Sequence, residues 1–206
     1  MLIFEAHARL LIVVHGVIGA ALVAVSTHLA VWTWRIRKNP HFRRGALRFA
    51  AICAALYALE LILGNVLYPT YKIRVRAEFL DNPQAISRDL ASRATAGARI
   101  AEAAPAIPDS APAAPGANTA RAVPPEVREA TIRRNRTIAR IFDVKEHLVA
   151  LGLALALACP VLLWAADPSA ERRTVATTAR VLTLLVAAIT WFAAVVGLTI
   201  TTIRSV

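Results

Sequence analysis

Four uninterrupted apolar stretches dominate the chain, and each is long enough to cross a bilayer as a helix. The first runs from about Leu10 to Trp34 and the second from about Ala46 to Tyr68. The third runs from about His147 to Ala166 and the fourth from about Val181 to Ile203. A backbone buried in hydrocarbon has no water to bond to, so each stretch is expected to be helical. Composition agrees. Of 206 residues, 57% are hydrophobic and 18% are charged, where a soluble domain carries about 25% charge. These figures exclude an ordinary soluble domain, a disordered chain and a disulfide scaffold. The expected fold is an all-α integral membrane protein, a four-transmembrane-helix bundle with a long, partly helical extramembrane loop between helices 2 and 3.

The first stretch does not read as a cleaved signal peptide. Its start lacks a basic segment and contains Glu5, and it closes on Trp32, Trp34 and Arg35, which anchor a helix at a membrane surface. The net charge of +11 is distributed as a topology signal rather than a nucleic-acid footprint. The first connection holds Arg35, Arg37, Lys38, Arg43, Arg44 and Arg48 with no acid among them, and the third holds Arg172, Arg173 and Arg180 against Asp167 and Glu171. Short basic loops stay on the cytoplasmic side. Both chain ends and the middle loop are therefore expected in the periplasm of a bacterial inner membrane. That loop carries 13 basic and 9 acidic residues from Lys72 to Glu146 and is too long to count in the rule.

Three segments follow: a first transmembrane hairpin over 1–69, a periplasmic loop over 70–145 and a second hairpin over 146–206. Within the loop, Tyr71 to Ile100 reads as an amphipathic or interfacial helix, with Val75, Phe79, Ile86 and Leu90 as its apolar anchors. An Ala/Pro-rich linker covers 102–125. Pro124, Pro125, Glu126 and Glu129 mark a new helix start that can run into the third span. Ile3-Phe4-Glu5-Ala6 recurs as Ile141-Phe142-Asp143-Val144, and Arg43-Arg44 as Arg172-Arg173, a pattern compatible with a duplicated hairpin or with chance. Gly16, Gly19, Gly152 and Gly197 are expected to let helices approach closely. Pro160 is expected to kink the third span. Cys53 and Cys159 lie inside spans as small apolar fillers.

Ionisable groups in lipid are costly, so each needs a reason. His15, His28 and Glu60 lie within spans; His7 and His147 lie at their outer edges. At a rise of about 1.5 Å per residue, His15 sits roughly 8 Å and Glu60 roughly 12 Å inside the outer end of its span. Two ionisable groups at similar depth are expected to pair. Tyr57, Glu60 and Gly64 share a face of the second span, with Asn65 beside them, and this face suits a quinone carbonyl or a proton. The run Asp143-Lys145-Glu146-His147 reads as a solvated helix start, with His147 equally a candidate ligand. His28, beside Ser26 and Thr27, reads as a packing hydrogen bond to a neighbouring helix.

His15 and His28 stand 13 residues apart. This spacing resembles the histidine pair that dihaem b-type cytochromes carry on one helix. The resemblance covers that helix only, because no second helix carries a matching pair. One outer haem b remains, with His15 and His147 as axial ligands to the iron and His7 as the substitute. The architecture resembles the four-helix cytochrome b anchors of respiratory enzymes. Glu60, Tyr57 and Asn65 are then the quinone or proton candidates. No phosphate loop, nucleophile elbow or zinc-protease motif is present. The expected function is a small membrane subunit of a bacterial electron-transfer complex, bound to lipid and to other subunits and not to nucleic acid. Three His with a Glu also suit a divalent metal. The alternatives are a non-catalytic scaffold subunit and a small proton- or metal-coupled transporter, against which four spans and little intramembrane charge count unless the chain oligomerises.

Overall fold

The computed structural model describes residues 7–36, 39, 41–103, 123–165 and 173–203. Among the described residues there is helix and no strand. Helix α1 spans Ala8–Ile36, α2 Phe42–Thr70, α3 Pro83–Ala103, α4 Pro125–Ala165 and α5 Arg173–Ile203. Four helical stretches are long and apolar enough to cross a membrane: Ala8–Ile36, Phe42–Leu80, Pro125–Ala165 and Thr174–Ile203.

The spans exceed their apolar cores. At 41 residues, α4 is roughly 60 Å long, twice the thickness of a bilayer's hydrocarbon. It starts at Pro125, where a missing N–H costs nothing, and passes Pro160 to reach Ala165. The helix start read at Pro124–Glu129 and the third apolar stretch are thus one element. Helix α2 contains Pro69 and ends with the Tyr71 amide donating to the Leu67 and Tyr68 carbonyls. The next residues, Tyr71–Leu80, form a π-helix, and the Asp81 amide donates five residues back to the Arg76 carbonyl at 2.8 Å. Asn82 then starts α3: its Oδ1 accepts from the amides of Gln84 and Ala85 at 3.0 and 3.1 Å, with Pro83 in the first helical position.

The described chain divides into two compact units, Met1–Lys72 with Arg140–Val206, and Ile73–Ala139. In the first, the core comprises Leu22, Leu29, Ala46, Ala50, Cys53, Tyr57, Ala156, Cys159, Leu163, Ala179 and Val186. Small residues dominate this list, as expected where helices gain from close approach rather than from burying oil in water. Large apolar side chains such as Val17, Ile62, Val161, Trp191 and Leu198 point outward, where a bilayer covers them. In the second unit Val75, Phe79, Leu80, Ile86, Asn135 and Ala139 are buried. Three of the four apolar anchors read from the sequence, Val75, Phe79 and Ile86, are therefore core residues of a helical unit, and Leu90 is half-buried. Arg74–Glu78, Arg76–Asp81 and Arg93–Asp89 ion pairs decorate its surface.

The Ala/Pro-rich stretch lies outside the described residues over 104–122, and α3 already occupies its first positions to Ala103. The first copy of the hairpin repeat, Ile3 to Ala6, lies outside them as well, as does Arg172.

Candidate functional site

Helices α1 and α2 run antiparallel, and their contact follows a reciprocal small-to-large rule. His15 and Gly19 are one turn apart on α1; Glu60 and Gly64 are one turn apart on α2. The His15 ring lies over Gly64, with Cε1 3.7 Å from where a Cβ would stand. The Glu60 carboxylate lies over Gly19, with Oε1 3.0 Å from that helix's equivalent point. Each glycine thus receives the other helix's polar side chain. His15 Nδ1 and Glu60 Oε1 come to 3.1 Å, an ion-pair distance without hydrogen-bond alignment. Their side chains are 25% and 15% exposed, and Glu60 Oε2 is buried and accepts no hydrogen bond. The pairing expected from their matching depths is present.

A third ionisable group joins them. Lys145 of α4 interacts electrostatically with Glu60. Its Nζ sits 4.8 Å over the Phe142 ring and 3.7 Å from the point where a Cβ on Gly197 of α5 would stand. So α1 supplies an imidazole, α2 a carboxylate and α4 an ammonium, while glycines on α1, α2 and α5 make the room. Its neighbours in sequence read as a solvated helix start, but Lys145 is turned inward. The sequence carries a signal for this. Gly152, Ala156, Cys159 and Leu163 form the buried stripe of α4, and continuing that spacing backwards reaches Val149 and Lys145. Phe142 itself stacks on Tyr71, ring centroids 3.9 Å apart. Glu146 accepts a hydrogen bond from Tyr68, which ties the outer end of α4 to α2.

The other expected site residues are placed differently. Tyr57 is buried against Gly152, where a Cβ would overlap its ring, and a hydroxyl–hydroxyl hydrogen bond of 3.3 Å joins it to Thr190 of α5. It shares an electrostatic interaction with Glu60, but its phenol is engaged in helix packing. Asn65 is on the exposed surface of α2. His147 is exposed on α4, its Nδ1 2.8 Å from the Asp143 carbonyl. A carbonyl only accepts, so Nδ1 carries the proton, and in the neutral ring Nε2 keeps its lone pair for a ligand. His7 is exposed at the start of α1. His28 makes the same bond within its own helix, to the Ala24 carbonyl at 2.9 Å, and stacks on Phe49; its hydrogen bond is therefore internal to α1 and not made to a neighbour. Among the described residues no three of His, Cys, Asp and Glu gather in a way that could hold a metal ion.

The opposite end of the same unit handles charge in another way. Arg43, in the first turn of α2, donates from Nε to the Leu163 carbonyl at 3.2 Å and from its terminal nitrogen to the Trp164 carbonyl. These carbonyls lie in the last described turn of α4, at the negative end of its dipole. Trp32 of α1 packs against Gly45, where a Cβ would overlap its ring, and meets Phe42 edge-on and Phe49 at a tilt. Trp191 of α5 donates to Thr27 of α1 at 3.1 Å. Among the described residues, His15, Glu60 and Lys145 thus gather ionisable groups from α1, α2 and α4 in a membrane-type helix assembly. No protein family matches the chain, and neither a curated protein nor a solved structure matches it.

Proposed function

We propose that this chain is a four-helix-bundle subunit of a bacterial electron-transfer complex in the inner membrane, and that His15 and Glu60 form its quinone contact near the outer leaflet. In this reading both termini and the long loop between α2 and α4 face the periplasm, and other subunits dock around them. The observation that carries the reading is the His15–Glu60 pair at 3.1 Å with a buried, unbonded Glu60 Oε2. An imidazole can donate to a quinone carbonyl, and a carboxylate beside it can take one of the two protons released when a redox centre of a partner subunit accepts the quinol's two electrons. Lys145 balances the carboxylate while it is ionised. Tyr57 holds α2 against α4 and α5 behind the site, and Asn65 marks the side of α2 from which a lipid-soluble ligand approaches.

One haem b fits the same chain as a second reading, because His147 has its Nδ1 engaged on the Asp143 carbonyl, the arrangement that leaves Nε2 for iron. His15 is its partner ligand in that reading and His7 the substitute. Two measurements on the purified protein decide. A short-chain quinone is expected to bind, and Glu60→Gln or His15→Ala is expected to weaken it at least tenfold. A reduced-minus-oxidised visible spectrum with and without His147→Ala tests the haem. Absence of both quinone binding and a haem band would sink the electron-transfer reading.

A further inference from the structure

The end of the unit that holds Arg43 carries two more arginines, for which the described residues supply no ion-pair partner. Arg44 and Arg48 stand one turn apart on α2, and both are exposed. Among the described residues neither is paired with a carboxylate. Arg43 contributes nothing outward, since its guanidinium is committed to the carbonyls of α4. Along the same face, at spacings of four and three, come Ile52, Ala55, Leu59 and Ile62, all exposed. Ile52, Leu59 and Ile62 are 49%, 42% and 60% exposed. From Ile52 to Ile62 this track is roughly 15 Å long, one leaflet of hydrocarbon. Exposed Trp34 and Trp164 at the ends of α1 and α4 put this end at the membrane surface.

Two guanidiniums with no carboxylate partner among the described residues, above one leaflet's length of apolar surface, match the shape and charge of one amphiphile. We propose that this face of α2 holds an anionic phospholipid, its phosphate forked by Arg44 and Arg48 and an acyl chain lying along Ile52, Ala55, Leu59 and Ile62. Guanidinium pairs phosphate in a planar, two-bond geometry. A zwitterionic lipid offers the same phosphate but brings its own cation toward the two arginines, so the site discriminates by charge.

The test uses the full chain in detergent with mixed phosphatidylglycerol and phosphatidylcholine, and counts retained lipid by native mass spectrometry. Phosphatidylglycerol is expected to be retained over phosphatidylcholine. Arg44→Gln with Arg48→Gln is expected to weaken that retention roughly thirtyfold. If the double variant does not fold, Arg48→Lys serves: it keeps the charge but not the fork, and a smaller drop is expected. Excess inorganic phosphate is expected to leave the lipid in place. Equal retention by wild type and variants overturns the proposal. So does displacement by inorganic phosphate, which would make the site one for a soluble anion.

Discussion

The two ends of the membrane unit answer the same physical problem with different partners. A cation among apolar helices needs negative charge, or its burial costs several kcal/mol. At one end Arg43 finds that charge in the last carbonyls of α4, at Leu163 and Trp164. At the other, Lys145 lies within a helix whose carbonyls are already bonded, and the charge comes from the Glu60 carboxylate, which also meets the His15 ring. A helix terminus supplies free acceptors without any acidic residue; a helix interior does not. Glu60 is accordingly the only carboxylate inside the apolar stretches of the sequence, and it is found where two basic side chains converge.

Substitutions can separate the two solutions. The largest effect is expected from Gly152→Leu, which sits between them. Its side chain would collide with the Tyr57 ring and push α4 from α2, so both ends should loosen together. A loss of about 3 kcal/mol is expected, read as the unfolding midpoint in a denaturing detergent titration. Next comes Arg43→Gln, which removes charge-assisted bonds to two carbonyls. It should cost about 1.5 kcal/mol in the same titration while leaving quinone affinity unchanged. Loss of quinone binding in that variant would show that the ends are coupled and that the comparison is too simple. Trp191→Phe should do least. It deletes one exposed hydrogen bond to Thr27, and about 0.6 kcal/mol is expected. A cost as large as that of Arg43→Gln would make the α1–α5 seam, rather than the helix ends, the principal tie.

Much of this was legible before any coordinates. The four apolar stretches announced the spanning helices because lipid leaves a backbone few choices. Pro124 and Pro125 announced the start of α4, and matching depths announced the His15–Glu60 pair. Other features were hidden for physical reasons. The buried stripe of α4 reaches Lys145, but the room its ammonium takes depends on Gly197 of α5, and no local pattern in Asp143-Lys145-Glu146-His147 reports on a helix some fifty residues later. The use of Arg43 was equally hidden. Six basic residues cluster in the first connection, and only the packing of α4 beside α2 brings Arg43 to its carbonyls.

Hydropathy and helix length are properties of consecutive residues, so the sequence alone determined that the chain is helical, where its spans run and which ionisable groups they contain. Which of those groups meet was decided by the tertiary structure, because in lipid the helices are held by close approach and by satisfied charge. A glycine on one helix opposite a polar side chain on another settles both at once. His15 over Gly64, Glu60 over Gly19 and Lys145 beside Gly197 are three instances. Each joins residues that are far apart in the chain and adjacent only once the helices pack.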